Sequence, residues 1–174
     1  MNAYWQDDRA AISVNAVCAL AGVSKPSLYR DFGSEDGLTA AVLERYGQTV
    51  LVGVEALLSS SQSYGAKLDA LVSFAADDPQ MEAGCLFVKM RATRSRFGPQ
   101  TRALLAAMEK HFQAHYTQFF TDAAACGEWH GGVATDLAAN YLQEQMGLAV
   151  SQRATGKLSE AVRAFLMLAI SVLR

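Results

Sequence analysis

The chain has 174 residues, 51% of them hydrophobic and 18% charged, and a formal net charge of −2. That length suits one compact unit or a small domain joined to a larger one, and the modest charge gives no sign of a strongly basic chain. No apolar run is long enough to span a bilayer, no basic-then-apolar leader opens the sequence, and the three cysteines, Cys18, Cys85 and Cys126, are odd in number and lack metal-type spacing. A cytoplasmic protein with reduced thiols is expected, two or more of them buried as small hydrophobes.

Two short helices joined by a tight turn are predicted from Ile12 onward, and a third starts by Leu38. Ser13 can cap the first, whose residues Val14, Val17, Cys18 and Ala21 make one apolar face. Gly22 ends it, and Val23 can plug the inside of the corner. Ser24 caps the second helix, with Pro26 in its first turn, where a missing N–H costs nothing. Leu28 and Phe32, spaced i and i+4, are expected to point to the core. Lys25, Ser27, Tyr29 and Arg30 remain on the other side. Gly33 ends this helix, and Ser34 caps the next, with Glu35 and Asp36 in its first turn, where negative charge suits the helix dipole. A helix-turn-helix sets its second helix in the major groove of DNA. There Lys25 would pair with phosphate, Ser27 and Tyr29 would offer hydroxyls, and the planar fork of Arg30 would match the two acceptors of guanine. For any one of these residues alone, a solvated polar face explains as much. The complete run of cap, apolar face, glycine turn, cap and proline favours the DNA reading.

The segment AGVSKPSLYRDFGSEDGL resembles the DNA-binding signature of TetR-type bacterial transcriptional regulators, closely over residues 12–46 and only in style elsewhere. The resemblance implies an all-α fold, with a helix-turn-helix DNA-binding domain over residues 1–47 and a helical ligand-binding and dimerisation domain over 48–174. It implies a homodimeric repressor that binds a palindromic operator in double-stranded DNA and is released by a small-molecule ligand. By motif position, Ser13, Lys25, Pro26, Ser27, Tyr29 and Arg30 would be the DNA contacts. No cofactor is expected. Two departures stand out. The family has a complete first helix of about four turns ahead of this motif, whereas here Met1 to Arg9 precede it, Tyr4 and Trp5 read as that helix's last turn, and Leu20, Val23 and Leu28 should be partly uncovered. Glu35 stands where many members carry a phosphate-binding lysine. From Met1 to Gly47 four basic residues face six acidic ones, a net −2, which predicts weak non-specific DNA affinity. The alternative is a helical dimer that binds a small molecule or protein and no longer binds DNA.

The remainder reads as helices. Leu38, Val42, Tyr46, Thr49 and Val52 would line one face of a long helix running toward Leu58, with Gly47 and Gly53 inside it. Residues 59–63 form a loop, Tyr64 to Ala76 a helix, residues 77–84 a break, and Cys85 to Phe97 another helix ended by Gly98 and Pro99. Pro99 opens a long helix, and residues 127–132 form a loop. Leu137, Tyr141, Leu142, Gln145, Met146 and Ala149 mark the next helix. Ser159 caps a last helix that is apolar nearly all round and so needs cover on every side. A second copy would supply it, two helices per subunit (133–154 and 159–173) making a four-helix interface through Leu142, Ala149, Ala161, Phe165, Leu168 and Val172.

Candidate ligand-binding residues are Phe87, Met90, Arg91, Phe97, Met108, Phe112, Tyr116, Tyr141, Gln145 and Met146, since pockets are mostly apolar with a few placed polar groups. The same residues also suit plain core. From Cys85 to His115 six basic residues face one acid. They read as a solvated face, as inward-turned Arg91 or Arg94 holding an anion, or as compensation for the acidity of the DNA-binding segment. His111 and His115, at i and i+4, could chelate a metal, but Phe112 stands where a zinc-protease helix has its glutamate and the sequence offers no third ligand, so no metal site is assigned. No catalytic residues and no enzyme are expected: there is no glycine-rich phosphate loop and no GxSxG elbow.

Overall fold

The computed structural model describes residues 1–6 and 12–174. Asp7, Asp8 and Arg9, counted in the charge above, lie outside the described residues. The described residues form helices and connecting turns, with no strand among them. The helices are α1 (Asn2–Gln6), α2 (Val14–Ala21), α3 (Lys25–Phe32), α4 (Glu35–Tyr46), α5 (Val52–Leu58), α6 (Tyr64–Asp77), α7 (Leu86–Ala92), α8 (Pro99–Ala125), α9 (Thr135–Ala154) and α10 (Ser159–Ile170). They fall into two compact units, Met1–Leu51 with Leu86–Met108, and Val52–Cys85 with Glu109–Arg174. The first unit thus extends past residue 47 and takes in a later segment that the sequence assigns to the second domain.

The first unit is built around α4. Leu38, Leu43 and Tyr46 from this helix are buried together with Tyr4, Val14, Leu28, Leu86, Met90 and Leu105. Helix α1 is held on α4 by two rings. Trp5 meets Tyr46 edge-on with centroids 5.0 Å apart. The Tyr4 hydroxyl lies 3.3 Å from Thr39 Oγ1, and since the Thr39 hydrogen goes to the Glu35 carbonyl, Tyr4 is the donor. Burial pushes the Tyr4 hydroxyl above its ordinary pKa. Lys89 Nζ donates to the Trp5 carbonyl at 2.9 Å, closing the end of α1.

Asp36 joins the later segment to this core. Its carboxylate accepts from the backbone amides of Gln100 at 2.8 Å and Thr101 at 3.2 Å, the second and third residues of α8. These are the donors that an N-cap side chain normally satisfies. The residue at the cap position is Gly98, which has no side chain to offer, and a Cβ there would overlap the Asp36 carboxylate. The buried Thr101 hydroxyl donates to the Asp36 carbonyl at 3.1 Å. Burial alone would raise the Asp36 pKa. The hydrogen bonds from Thr101 and Gln100 and the charge of Arg102 outweigh it and hold the carboxyl below its ordinary value.

Between α4 and α5 the helix widens into a π-turn, Gly47–Leu51. The residues buried along this stretch are Leu38, Thr39, Val42, Leu43, Tyr46, Val50, Leu51, Val54 and Leu58. Thr49 is exposed and Val52 is 47% exposed, against the expectation that both share the apolar face. The wider turn shifts the phase, so Val50 and Val54 take their places. Helix α7 is shorter than the expected 85–97 and passes into a 3₁₀ turn at Arg94–Arg96.

The second unit packs α5, α9 and α10 around α6, whose Leu68, Leu71, Val72 and Ala75 are completely buried. Tyr64 stacks on Phe119 at 5.0 Å and donates its hydroxyl to the Leu173 carbonyl at 2.6 Å, tying down the C-terminal turn. The loop at 127–132 is anchored by Trp129, buried against Phe120 at 4.9 Å. Ser159 does not cap α10. The cap position is Leu158, and the Ser159 hydroxyl donates instead to Asp77 at 2.8 Å, beside the ion pair of Arg163 with the same carboxylate. None of the three cysteines is in a disulfide; Cys85 alone is buried, Cys18 is half-buried and Cys126 exposed.

The Asp36 cap predicts a pH signature. A carboxyl with a depressed folded-state pKa stabilises above its unfolded value, about 3.9, and the contribution is lost as pH falls through the folded value. Asp36→Ala should lower stability by about 1–2 kcal/mol at neutral pH, and the difference from wild type should shrink below about pH 4, as read by urea unfolding at both pH values.

Candidate nucleic-acid interface

Each end of the α2–α3 corner is fixed by a local hydrogen bond. The Ser13 hydroxyl accepts from the Ala16 amide at 3.2 Å and starts α2. Gly22 adopts φ +65° and ψ 28°, a left-handed conformation costly for a side chain with a Cβ, and the Val23 amide then donates back to the Cys18 carbonyl at 3.1 Å. Ser24 starts α3 by accepting from the Ser27 amide at 3.3 Å, with Pro26 in the first turn. Ser34 starts α4 in the same way, accepting from Gly37 at 3.0 Å.

Helix α3 buries Leu28 and leaves Lys25, Pro26, Tyr29 and Arg30 exposed, with Ser27 half-buried. Arg30 lies along the helix: its Nη2 donates to Ser27 Oγ at 3.1 Å and its Nε to Asp31 at 3.4 Å. The Arg30 side chain is still 75% exposed, and ion pairs of this kind are worth at most about 1 kcal/mol, so the guanidinium is free to exchange them for an outside acceptor. Five of the six sequence-predicted contact residues, Lys25, Pro26, Ser27, Tyr29 and Arg30, thus lie on α3, and the sixth, Ser13, is exposed at the start of α2. Phe32 does not join the core. It is 42% exposed, because its ring borders an open apolar groove of about 550 Å³ that also takes in Tyr4, Leu20, Val23, Leu28 and Leu38. Leu20 and Val23 are uncovered as expected, at 71% and 42%, but Leu28 is buried at 4%, on the inward side of α3.

Charge is where the structure changes the sequence picture most. The segment Leu86–Met108 brings Lys89, Arg91, Arg94, Arg96 and Arg102 and no acid. These five cations turn the −2 of residues 1–47 into +3 for the first unit and leave −5 on the second. Arg94, Arg96 and Arg102 are exposed. Gly98 and Arg102 lie by Asp36 at the start of α4, so the basic segment borders the end of α3.

The other candidates divide between the units. Phe87 and Met90 are buried in the first unit, where Arg91, Phe97 and Met108 are half-buried. Phe112, Tyr116 and Met146 are buried in the second, where Tyr141 and Gln145 are half-buried. The Tyr141 hydroxyl is committed to the Ala169 carbonyl at 2.8 Å. Burial, and then the neighbouring Cys85, push the Tyr116 pKa well up, so its hydroxyl stays neutral. Neither the groove of the first unit nor a surface cleft of about 390 Å³ beside Tyr64, Lys67 and Phe119 is lined by any of these ten residues. Of the interface candidates, Leu142 and Ala149 are covered completely by their own subunit and have no surface to give a second copy. Ala161 and Phe165 lie on the open side of α10, with Leu168 75% and Val172 73% exposed.

No family model and no curated protein matches the sequence. Solved structures do match over nearly the whole chain. NemR of E. coli in its reduced form is 18% identical over 98% of this chain and 96% of that one, with a TM-score of 0.81. A regulatory protein TetR from Rhodobacter sphaeroides is 19% identical over 98% and 93%, with a TM-score of 0.83. The chain has the TetR fold. A third TetR-type structure, a cysteine mutant of the regulator CifR in complex with 26-bp double-stranded operator DNA, is 17% identical over 98% and 91%, with a TM-score of 0.75. The sequence marks Asp36 only as a first-turn charge of α4, whereas in the structure it caps α8; a helix that opens on Gly98-Pro99 with no capping side chain of its own is the signal that the cap comes from elsewhere.

Ser24 sets where α3 begins. Ser24→Ala should destabilise the protein by about 1 kcal/mol and increase amide exchange of Ser27, as measured by hydrogen exchange.

Proposed function

We propose that this chain is a DNA-binding transcriptional regulator that uses α3 as its reading helix. The observation that carries this is the exposed face of Lys25, Tyr29 and Arg30, with Ser27 half-buried beside them, on a unit of net charge +3. Ser13, Lys25, Ser27 and the neighbouring Pro26 supply backbone-directed contacts, and Arg30 reads a base edge. Arg94 and Arg96 add phosphate attraction. The fold shared with CifR, solved on operator DNA, supports the same assignment. The regulator acts as a repressor on a palindromic operator and is released when a small molecule enters the helical body near Phe112, Tyr116, Tyr141, Gln145 and Met146. The side-chain types and burial of these residues support the ligand part of the reading.

A twofold dimer follows from α10. Ala161, Phe165, Leu168 and Val172 recur at i, i+4, i+7 and i+11 and form an apolar stripe that the subunit leaves open. Burying a leucine or valine fully stabilises by about 1.5–3 kcal/mol, and an isologous contact counts each residue twice. Leu168→Glu should turn the dimer into a monomer on size-exclusion chromatography with light scattering, without loss of helical content.

The open groove of Leu20, Val23 and Phe32 favours a second reading, a helical dimer with an under-covered reading head that does not bind DNA. Fluorescence anisotropy on the DNA flanking the protein's own gene separates the two. Under the first reading Arg30→Ala weakens specific binding by about tenfold to a hundredfold and relaxes base preference, while Lys25→Ala weakens all sequences alike and lowers the salt slope by about one. Absence of any salt-sensitive, sequence-dependent binding would establish the second.

A further inference from the structure

We infer that Glu55, His111 and His115 form a binding site for a divalent transition-metal ion of the zinc type. His111 and His115 stand one turn apart on α8, with ring centroids 4.5 Å from each other. The third ligand, which the sequence does not reveal, comes from α5: Glu55 Oε1 lies 2.9 Å from His111 Nε2. One ligand atom from each of the three residues can be chosen so that all lie within 4.8 Å of one another. In a tetrahedral zinc site the ligand atoms are about 3.3 Å apart, so small side-chain rotations complete the geometry. Those rotations are available, because His111 is exposed and Glu55 and His115 are half-buried.

The chemistry of the set matches the ion. Two imidazoles and one carboxylate are borderline donors, suited to Zn²⁺, Co²⁺ or Ni²⁺ and poorly suited to Ca²⁺ or Mg²⁺, which take oxygen ligands. An ion pair between His111 and Glu55 would account for two of the residues, but not for the second imidazole held against the first. Three protein ligands leave a fourth position open to water or to a small ligand, the arrangement of a non-structural zinc site. All three residues belong to the second unit, and the site ties α5 to α8 within it.

The test uses the full chain and the metal alone, and does not depend on DNA binding. Cobalt(II) should give visible absorption bands at one equivalent per chain, and zinc should raise the melting temperature, since an ion that binds only the folded state stabilises it. The His111→Ala/His115→Ala variant should lose both signals, and Glu55→Gln should weaken binding about tenfold or more. The chain has three histidines, so an NMR titration of the wild type is decisive even if a variant fails to fold: zinc should move the ring resonances of His111 and His115 and leave His130 in place. No cobalt spectrum, no zinc-induced shift in melting, signals unchanged in the double variant or in Glu55→Gln, or a titration that moves His130 first would each overturn the assignment.

Discussion

The carboxylate of Asp36 is the interaction on which the first unit depends. A helix-turn-helix of this size buries few side chains of its own, and an α-helix entering beside it brings orphan amide groups that need acceptors. Asp36 solves both problems with one side chain. It stands in the first turn of α4, where its charge suits that helix, and it accepts from the second and third amides of α8. Gly98 makes the approach possible by having no side chain. Through this contact the segment Leu86–Met108 becomes part of the same unit as α3 and brings its cations with it. One of the acids that lowers the charge of residues 1–47 is therefore the residue that secures the positive charge of the unit.

Much of the corner was legible because its signals are local. Ser13, Ser24 and Ser34 each cap a helix, Gly22 turns the chain, and Leu28 faces inward; each needs only neighbours within a few residues. What could not be read depends on partners far along the chain. The Asp36 cap spans 64 residues to Gln100, and Glu55 meets His111 across 56. Phe32 has the right spacing for a core residue but stands at the edge of a groove. Leu142 and Ala149 have the right pattern for an interface but are consumed by their own subunit, because α9 packs on both α6 and α10 and spends its apolar face there.

The π-turn at Gly47–Leu51 shows how a sequence pattern can be regular and still mislead. Among the buried positions, Leu38, Val42, Tyr46, Val50, Val54 and Leu58 recur every four residues, and Leu43 and Leu51 flank them. In an ideal helix such a repeat drifts by about 40° per turn, and a regular helix would bring Thr49 and Val52 round to the apolar face. One wide turn absorbs part of the drift and keeps the four-residue repeat on a single side. Gly47 tolerates the widening, with its nearest side-chain neighbour the tip of Met108.

The partition of charge has a consequence for how the molecule meets other molecules. A net of −2 spread evenly would make the chain nearly indifferent to a polyanion. Divided as +3 and −5, it makes one unit attracted and the other repelled at distances within the screening length, about 8 Å at physiological salt. Encounters with a phosphate surface are thereby sorted before contact, and those that begin with the acidic unit are turned away.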